Sequence, residues 1–386
     1  MSIAQNLGVH GARNGGHAQP RLPVILLSGF LGSGKTTLLS RLLLHEQMRD
    51  TAVVINEYGE IALDHLLVAA VDEQTVLLDG GCVCCTVRED LAETLLALHT
   101  RRAAQQVPAF NRIIIETSGL ADPTAIAALL LRDAALAARF ELDTVIVTVD
   151  ALHACVQLGT QPEAVHQIML ADRLLLTKTD LVDAAACEVL CARLYALNPA
   201  ASQLLCAHGE IESSAMAGLR ARTDTALDVA RWHIVASAAE RERHECAHCA
   251  LNEHESTRAH TGHSHGISAH CICIDEPFNW AVLSSWLGSV AFHYGAQLLR
   301  LKAIVNVRGE AQPTIVHGVQ RWLHEPQTLP AWPNEDRRSC FVFIVRDLPR
   351  SVLTNALDVA LHEEGHDTPT NRCIVEPYDL SIDPAM

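Results

Sequence analysis

Between residues 22 and 206, short uninterrupted apolar runs alternate with stretches whose apolar positions recur every three or four residues. The runs at 24–27, 52–55, 76–78, 113–115, 144–149, 174–176 and 203–206 predict strands. The stretches at 35–44, 88–101, 123–131, 163–170 and 184–197 predict helices. Strands that are apolar on both faces and alternate with helices imply a mostly parallel sheet covered on both sides, an α/β architecture. The ligand of such a sheet belongs at the carboxyl ends of its strands.

The pattern changes near residue 231. Residues 238–270 are polar and crowded with His, Cys and Glu, which reads as a linker or large loop. Beyond it come a strand at 271–274, a helix at 279–294, strands at 298–307, 314–319 and 340–345, and a helix at 351–363. That order predicts a small α+β domain with a partly antiparallel sheet. The expected organisation is therefore a mobile tail (1–20), a nucleotide-type domain (21–230), a linker (231–270) and a C-terminal domain (271–386).

Composition narrows the class of function. A length of 386 residues suits two to three domains with ample core. A formal net charge of -16 argues against nucleic acid or an anionic membrane as the main partner. No signal-peptide pattern and no 18-residue apolar run is present, so a cytoplasmic protein is expected. In such a chain thirteen cysteines point to thiols and metal more than to disulfides.

The chemistry centres on Gly29-Phe30-Leu31-Gly32-Ser33-Gly34-Lys35-Thr36, which lies between a predicted strand and a predicted helix. This is the phosphate-loop pattern. Gly29, Gly32 and Gly34 let backbone N–H groups turn towards phosphate oxygens, with Ser33, Thr36 and Thr37 beside them. The following helix adds the partial positive charge of its N-terminus. Lys35 supplies a point charge for the β- and γ-phosphates, and the Thr36 hydroxyl is a Mg²⁺ ligand.

Four further stretches carry candidate chemistry. Glu116 follows the strand at 113–115 and leads through Thr117-Ser118 to Gly119, where a second acidic motif would hold the Mg²⁺ shell or position water and Gly119 would sense the γ-phosphate. Thr177-Lys178-Thr179-Asp180 looks like the guanine-specificity element, usually Asn-Lys-x-Asp. Asp180 would accept from guanine N1–H and the exocyclic amine, and the Lys178 stem would cover the base. Thr177 in place of Asn puts the contacts made from that position in doubt.

Cys82-Val83-Cys84-Cys85 puts three thiols within four residues, suited to Zn²⁺ or another borderline or soft ion with one open position. A redox pair and plain buried thiols are the alternatives. Glu57, in Asn56-Glu57-Tyr58-Gly59-Glu60, would join the Mg²⁺ shell or the thiolate site, or simply sit in a solvated turn. The linker adds His244, Cys246, His248, Cys249, His263 and His265 as accessory ligands, with Cys271-Ile272-Cys273 as a further pair. A loose cation-collecting loop fits that composition better than a closed zinc site.

Together these residues resemble the CobW-like family of P-loop GTPases, metallochaperones related to the nickel-insertion GTPases of urease and hydrogenase. The resemblance rests on the phosphate loop, Asn56-Glu57-Tyr58-Gly59-Glu60, the C-x-C-C motif, Glu116-Thr117-Ser118-Gly119 with Leu120-Ala121-Asp122-Pro123, and Asn198-Pro199 with Gly209. It continues through Phe278, Trp286, the stretch 298–304 and Gly318-Val319-Gln320.

The resemblance implies GTP hydrolysis coupled to delivery of a transition metal, Zn²⁺ or Co²⁺, to a client metalloprotein. Mg²⁺ would accompany the nucleotide, with Lys35, Glu116 and Glu57 in catalytic roles. A second copy of the chain is a further option as partner. The competing readings are a metal sensor or storage protein using GTP as a state marker, and an ATP-dependent kinase, against which Asp180 and the cysteines argue. The C-x-C-C motif and the phosphate loop are expected on neighbouring loops at one edge of the sheet.

Overall fold

A computed structural model describes residues 21–56, 76–79, 87–207, 266–363 and 372–375. The chain divides into two compact units, each with its own sheet.

The first unit holds strands β1 (Leu22–Gly29), β2 (Thr51–Asn56), β3 (Val76–Asp79), β4 (Arg112–Thr117), β5 (Phe140–Asp150), β6 (Arg173–Thr177) and β7 (Ser202–Leu205). Their spatial order is β3-β2-β4-β1-β5-β6-β7, and every neighbouring pair is parallel. The helices between them are α1 (Lys35–Leu43), α2 (Val87–Ala103), α3 (Pro123–Arg132), α4 (Ala134–Ala137), α5 (Ala154–Thr160), α6 (Pro162–Leu170) and α7 (Ala184–Leu197). The predicted α/β sheet is therefore present, with two short helices, α4 and α5, that the periodicity did not predict.

Side chains alternate across this sheet with the strand period of two. Ile25, Leu27, Val53, Ile55, Ile114, Ile146 and Leu175 share one face with Leu38, Leu39 and Leu42 of α1. Val24, Leu26, Ile113 and Ile115 point the other way and are as deeply buried, and α3 and α6 also contact β1 and β5. Pro123 opens α3 behind the Asp122 cap, whose carboxylate accepts from Thr124 N at 2.9 Å.

The second unit contains β8 (Ile267–Ile274), α8 (Trp280–Tyr294), β9 (Leu298–Val305), β10 (Thr314–Val319), β11 (Trp322–Leu323), β12 (Gln327–Thr328), β13 (Ser339–Arg346), α9 (Arg350–Glu363) and β14 (Arg372–Val375). The order is β11-β10-β9-β13-β8-β14, with β12 also on β10. All its named strand pairs are antiparallel, where the order of elements suggested only a partly antiparallel sheet. Strand β8 reaches back to Ile267, so the last four residues of the predicted linker are strand. Asn279 is not the first helical residue but the cap of α8, accepting from Ala281 N at 2.8 Å.

The core of this unit is aromatic. Trp286 is wholly buried and meets Phe341 and Phe343 edge-on, with centroids 4.8 and 5.7 Å away, and stacks on Phe278 at 6.2 Å. Its Nε1–H donates to Leu353 O at 3.1 Å, which ties α8 to α9 and satisfies the indole. Truncation would leave a large void and remove the bond between the two helices. We expect Trp286→Ala to destabilise this unit by about 3–5 kcal/mol, read as a lower urea midpoint by far-UV circular dichroism.

Candidate functional site

Parallel strands deliver all their carboxyl ends to one edge, and the candidate residues gather there from β1, β4, β5 and β6. Gly29 closes β1 at φ 144°, and Gly32 and Gly34 follow at φ 72° and 88°. A Cβ on Gly29 would run into the Thr148 hydroxyl and come within 2.7 Å of Ser33 Oγ. The loop turns through a Ser33 N–H to Phe30 O bond of 3.1 Å, and α1 begins with Leu38 N–H on Gly34 O at 2.9 Å. Ser33 is fully buried, its hydroxyl 2.6 Å from Thr148 Oγ1 on β5.

Lys35 is nearly buried and its Nζ donates to Gly29 O at 2.9 Å and Phe30 O at 3.3 Å. The ammonium thus lies over the loop that would cradle phosphate. The Thr36 hydroxyl donates to Glu116 Oε1 at 2.8 Å across 80 residues of sequence. Glu116 is buried at the end of β4 and pairs in register with Leu27 of β1 and Ile55 of β2. Two hard oxygen ligands, a hydroxyl and a carboxylate, therefore stand together beside the phosphate loop.

The base-side motif follows β6. Thr177 is buried and donates to Ser33 O at 2.8 Å, with Val149 O at 3.2 Å. The Thr177 hydroxyl therefore ties the loop after β6 to the loop after β1. Lys178 takes the left-handed conformation at φ 58°, and Asp180 is exposed in the turn Thr179–Leu181.

Three residues that the sequence reading did not single out complete the edge. Thr148 braces Ser33. Asp150, buried at the end of β5, accepts from Lys178 Nζ at 2.7 Å and from Leu152 N–H at 3.0 Å, and its Oδ2 lies 2.9 Å from His153 Nδ1. Gln167 reaches from α6 to the Gly119 loop. Asp150 carries the same signal as Glu116, an acidic residue ending an apolar parallel strand.

Glu57, Gly59, Cys82, Cys84, Cys85, His244, Cys246, His248, Cys249, His263 and His265 lie outside the described residues. β2 ends at Asn56 and β3 at Asp79, at the same edge as the phosphate loop because the strands are parallel. The strands themselves are not neighbours of β1: β3 stands three positions away, with β2 and β4 between, and the loop bearing the cysteines lies outside the described residues.

Cys271 and Cys273 also need correction, since they belong to β8 and are buried rather than part of a collecting loop. Cys273 faces Cys340 in register on β13, their sulfurs 2.6 Å apart. Contact with Cys273 and then burial push the Cys271 thiol well up. Contact with Cys271 pulls Cys273 down, but Cys340 and burial outweigh it and raise this thiol as well. Among the described residues, no group of three or more His, Cys, Asp or Glu is arranged to hold a metal.

Buried thiols are shielded from reagents in solution. Under native conditions iodoacetamide should modify exposed Cys155 and leave Cys206, Cys271, Cys273 and Cys340 unmodified until denaturant is added, as peptide mass spectrometry would read. Asp150 yields a pH prediction. Burial alone would raise its carboxyl, but Lys178, His153 and the Leu152 N–H outweigh burial and hold it below the ordinary value. A depressed folded value means stabilisation that is present above the unfolded value of about 3.9 and lost as pH falls through the lower folded value. Asp150→Asn should therefore cost about 1.5–3 kcal/mol at pH 7, and the penalty should shrink as the pH falls below about 4, in urea titrations across that range.

Residues 23–204 match the CobW/HypB/UreG nucleotide-binding domain, and residues 267–361 match the Cobalamin synthesis protein cobW C-terminal domain. The chain is 30% identical over 338 residues to the zinc chaperone YjiA of Escherichia coli, covering 87% of this chain and 97% of that protein. It is 27% identical over 380 residues to the zinc chaperone CobW of Pseudomonas aeruginosa, covering 88% and 92%. The crystal structure of Zn(II)-bound YjiA GTPase from E. coli superposes with a TM-score of 0.60 at 27% identity, covering 89% of this chain and 99% of that one. With both domains matched and almost the whole length of a 30%-identical relative spanned, the chain belongs to the CobW family.

Proposed function

We propose that this chain is a GTP-hydrolysing metallochaperone that binds a transition metal at Cys82, Cys84 and Cys85 and passes it to a client metalloprotein. The observation that carries the reading is the 2.8 Å contact between Thr36 and Glu116 beside a complete phosphate loop. Zinc is the first candidate cargo, in keeping with the zinc chaperones that the chain resembles over both domains, and Co²⁺ is the second. Residues 21–230 would form the GTPase domain and 271–386 the C-terminal domain, with the His- and Cys-rich segment 231–270 between them as a weak cation collector.

The roles follow from the chemistry of each group. The donor set of Thr36 and Glu116 fits Mg²⁺, which when bound would neutralise charge on the β- and γ-phosphates. Lys35 would exchange its two carbonyl acceptors for phosphate oxygens, a stronger charge-assisted pairing. Asp180 would read guanine and Lys178 would cover the base, with Asp150 holding the ammonium in place. Glu57 and Glu116 are the proposed groups for water or the Mg²⁺ shell, and Gly119 senses the γ-phosphate.

Coupling between metal and nucleotide must cross the sheet edge. The strand leading to the cysteine motif lies three strand spacings from β1, about 14 Å. β2 and β4 fill that gap; Glu116 lies near the carboxyl end of β4, and Glu57 is the residue after β2 in sequence. Reciprocity then requires that if Mg-GTP tightens metal binding, the metal tightens Mg-GTP by the same factor.

The test is zinc affinity of the full chain, by competition with a chromophoric chelator, with a GTP analogue, with GDP and without nucleotide. The expected difference is about 5–150-fold in favour of the triphosphate, and it should vanish in Cys84→Ser and Cys85→Ser. Equal affinity in all three states would remove the chaperone mechanism. In parallel, Asp180→Asn should narrow the preference for GTP over ATP in phosphate-release assays. Equal hydrolysis of both by the unaltered chain would remove the guanine assignment.

A further inference from the structure

Helix α6 buries Ala164, Val165, Ile168, Met169 and Leu170, and among these apolar side chains sits one amide, Gln167, with no exposed surface. Its Nε2 donates to Gly119 O and to Ala121 O, each at 3.1 Å. Two carbonyl acceptors fix the orientation of the amide, because only the NH₂ group carries two donors. Oε1 is buried and has no hydrogen-bond partner. A leucine would fill this position without burying an unpaired acceptor, a loss of about 1–3 kcal/mol for the glutamine. Space filling does not account for the residue.

What Gln167 holds is the loop after Glu116. That loop turns through an Ala121 N–H to Ser118 O bond of 3.1 Å and runs into the Asp122 cap of α3. Its other side lies against the phosphate loop: a Cβ on Gly119 would come within 2.7 Å of Leu31 N and 2.8 Å of Leu31 Cα. The segment is thus clamped between Leu31 and the amide of Gln167. Gln167 also lines a small recess together with Phe30 and Thr148, so it borders the phosphate loop as well.

We propose that Gln167 is a positioning residue for GTP hydrolysis, setting the place of Gly119 and with it the discrimination between GTP and GDP. The inference rests on the reading of Gly119 as the γ-phosphate sensor. A shift of Gly119 towards or away from a γ-phosphate strains its own hydrogen bond to Gln167, and a shift of the whole turn strains the Ala121 bond as well. These bonds therefore enter the free-energy difference between positions of the turn, and a ligand that favours one position would bind by that much more tightly.

The experiment uses the full chain with Gln167→Leu, Gln167→Asn and Gly119→Ala. Steady-state phosphate release gives kcat and KM for GTP, calorimetry gives affinities for a non-hydrolysable GTP analogue and for GDP, and a thermal scan reports folding. Gln167→Leu should lower kcat by about tenfold or more and shrink the analogue-to-GDP affinity ratio, with GDP affinity within about twofold of the unaltered chain. If Gln167→Leu does not fold, Gln167→Asn carries the same readout, since it keeps the amide but falls a methylene short of the carbonyls. Unchanged kcat and affinity ratio overturn the proposal, and so does a loss in which GDP affinity and thermal midpoint fall together with kcat. Hydrolysis that responds to Gly119→Ala but not to Gln167→Leu defeats this inference alone. Hydrolysis that responds to neither defeats the reading of Gly119 beneath it.

Discussion

A buried parallel sheet has one edge at which every strand stops, and that edge governs this molecule. Seven strands deliver their last residues to it, several of them polar and sealed from water. A buried polar group needs a partner, and the partners within reach are the loops leaving neighbouring strands. Thr36 finds Glu116, Ser33 finds Thr148, Thr177 finds the Ser33 carbonyl and Lys178 finds Asp150. The phosphate loop is thereby tied to β4, β5 and β6 together, so a ligand that shifts one loop acts on the others.

The same constraint explains which parts could be read from the sequence. Strands buried on both faces are uninterrupted apolar runs, as in β1, β4 and β6. The phosphate loop and Glu116 were legible because a fixed spacing or a carboxylate follows such a run. The four-residue helix Ala134–Ala137 and the two-residue strands at 322–323 and 327–328 are too short to carry a period. They form because the surrounding chain holds them, which a local pattern does not record.

Asp150 and Gln167 were overlooked for a different reason. Each is a lone polar residue beside or within an apolar segment, and its meaning lies in a partner 28 or 48 positions away. Thr177 is the converse case, a departure from a known pattern that looked like a loss. Its hydroxyl donates into the loop after β1, so a residue that departs from the pattern makes a buried contact of its own. Sequence fixes the identity of a donor, whereas three-dimensional closure decides what the donor meets.

The cysteines of the antiparallel sheet have a consequence for the life of the chain in a cell. Cys271, Cys273 and Cys340 are sealed in the folded unit, and burial and mutual contact push the Cys271 and Cys273 thiols up. In a chain still leaving the ribosome they are open thiols, two of them one residue apart. Zinc held there favours the unfolded chain, because a ligand that binds the unfolded state draws the equilibrium towards it. Closing the sheet would then compete with any ion that the open thiols could hold, and the folded unit would gain by closing early.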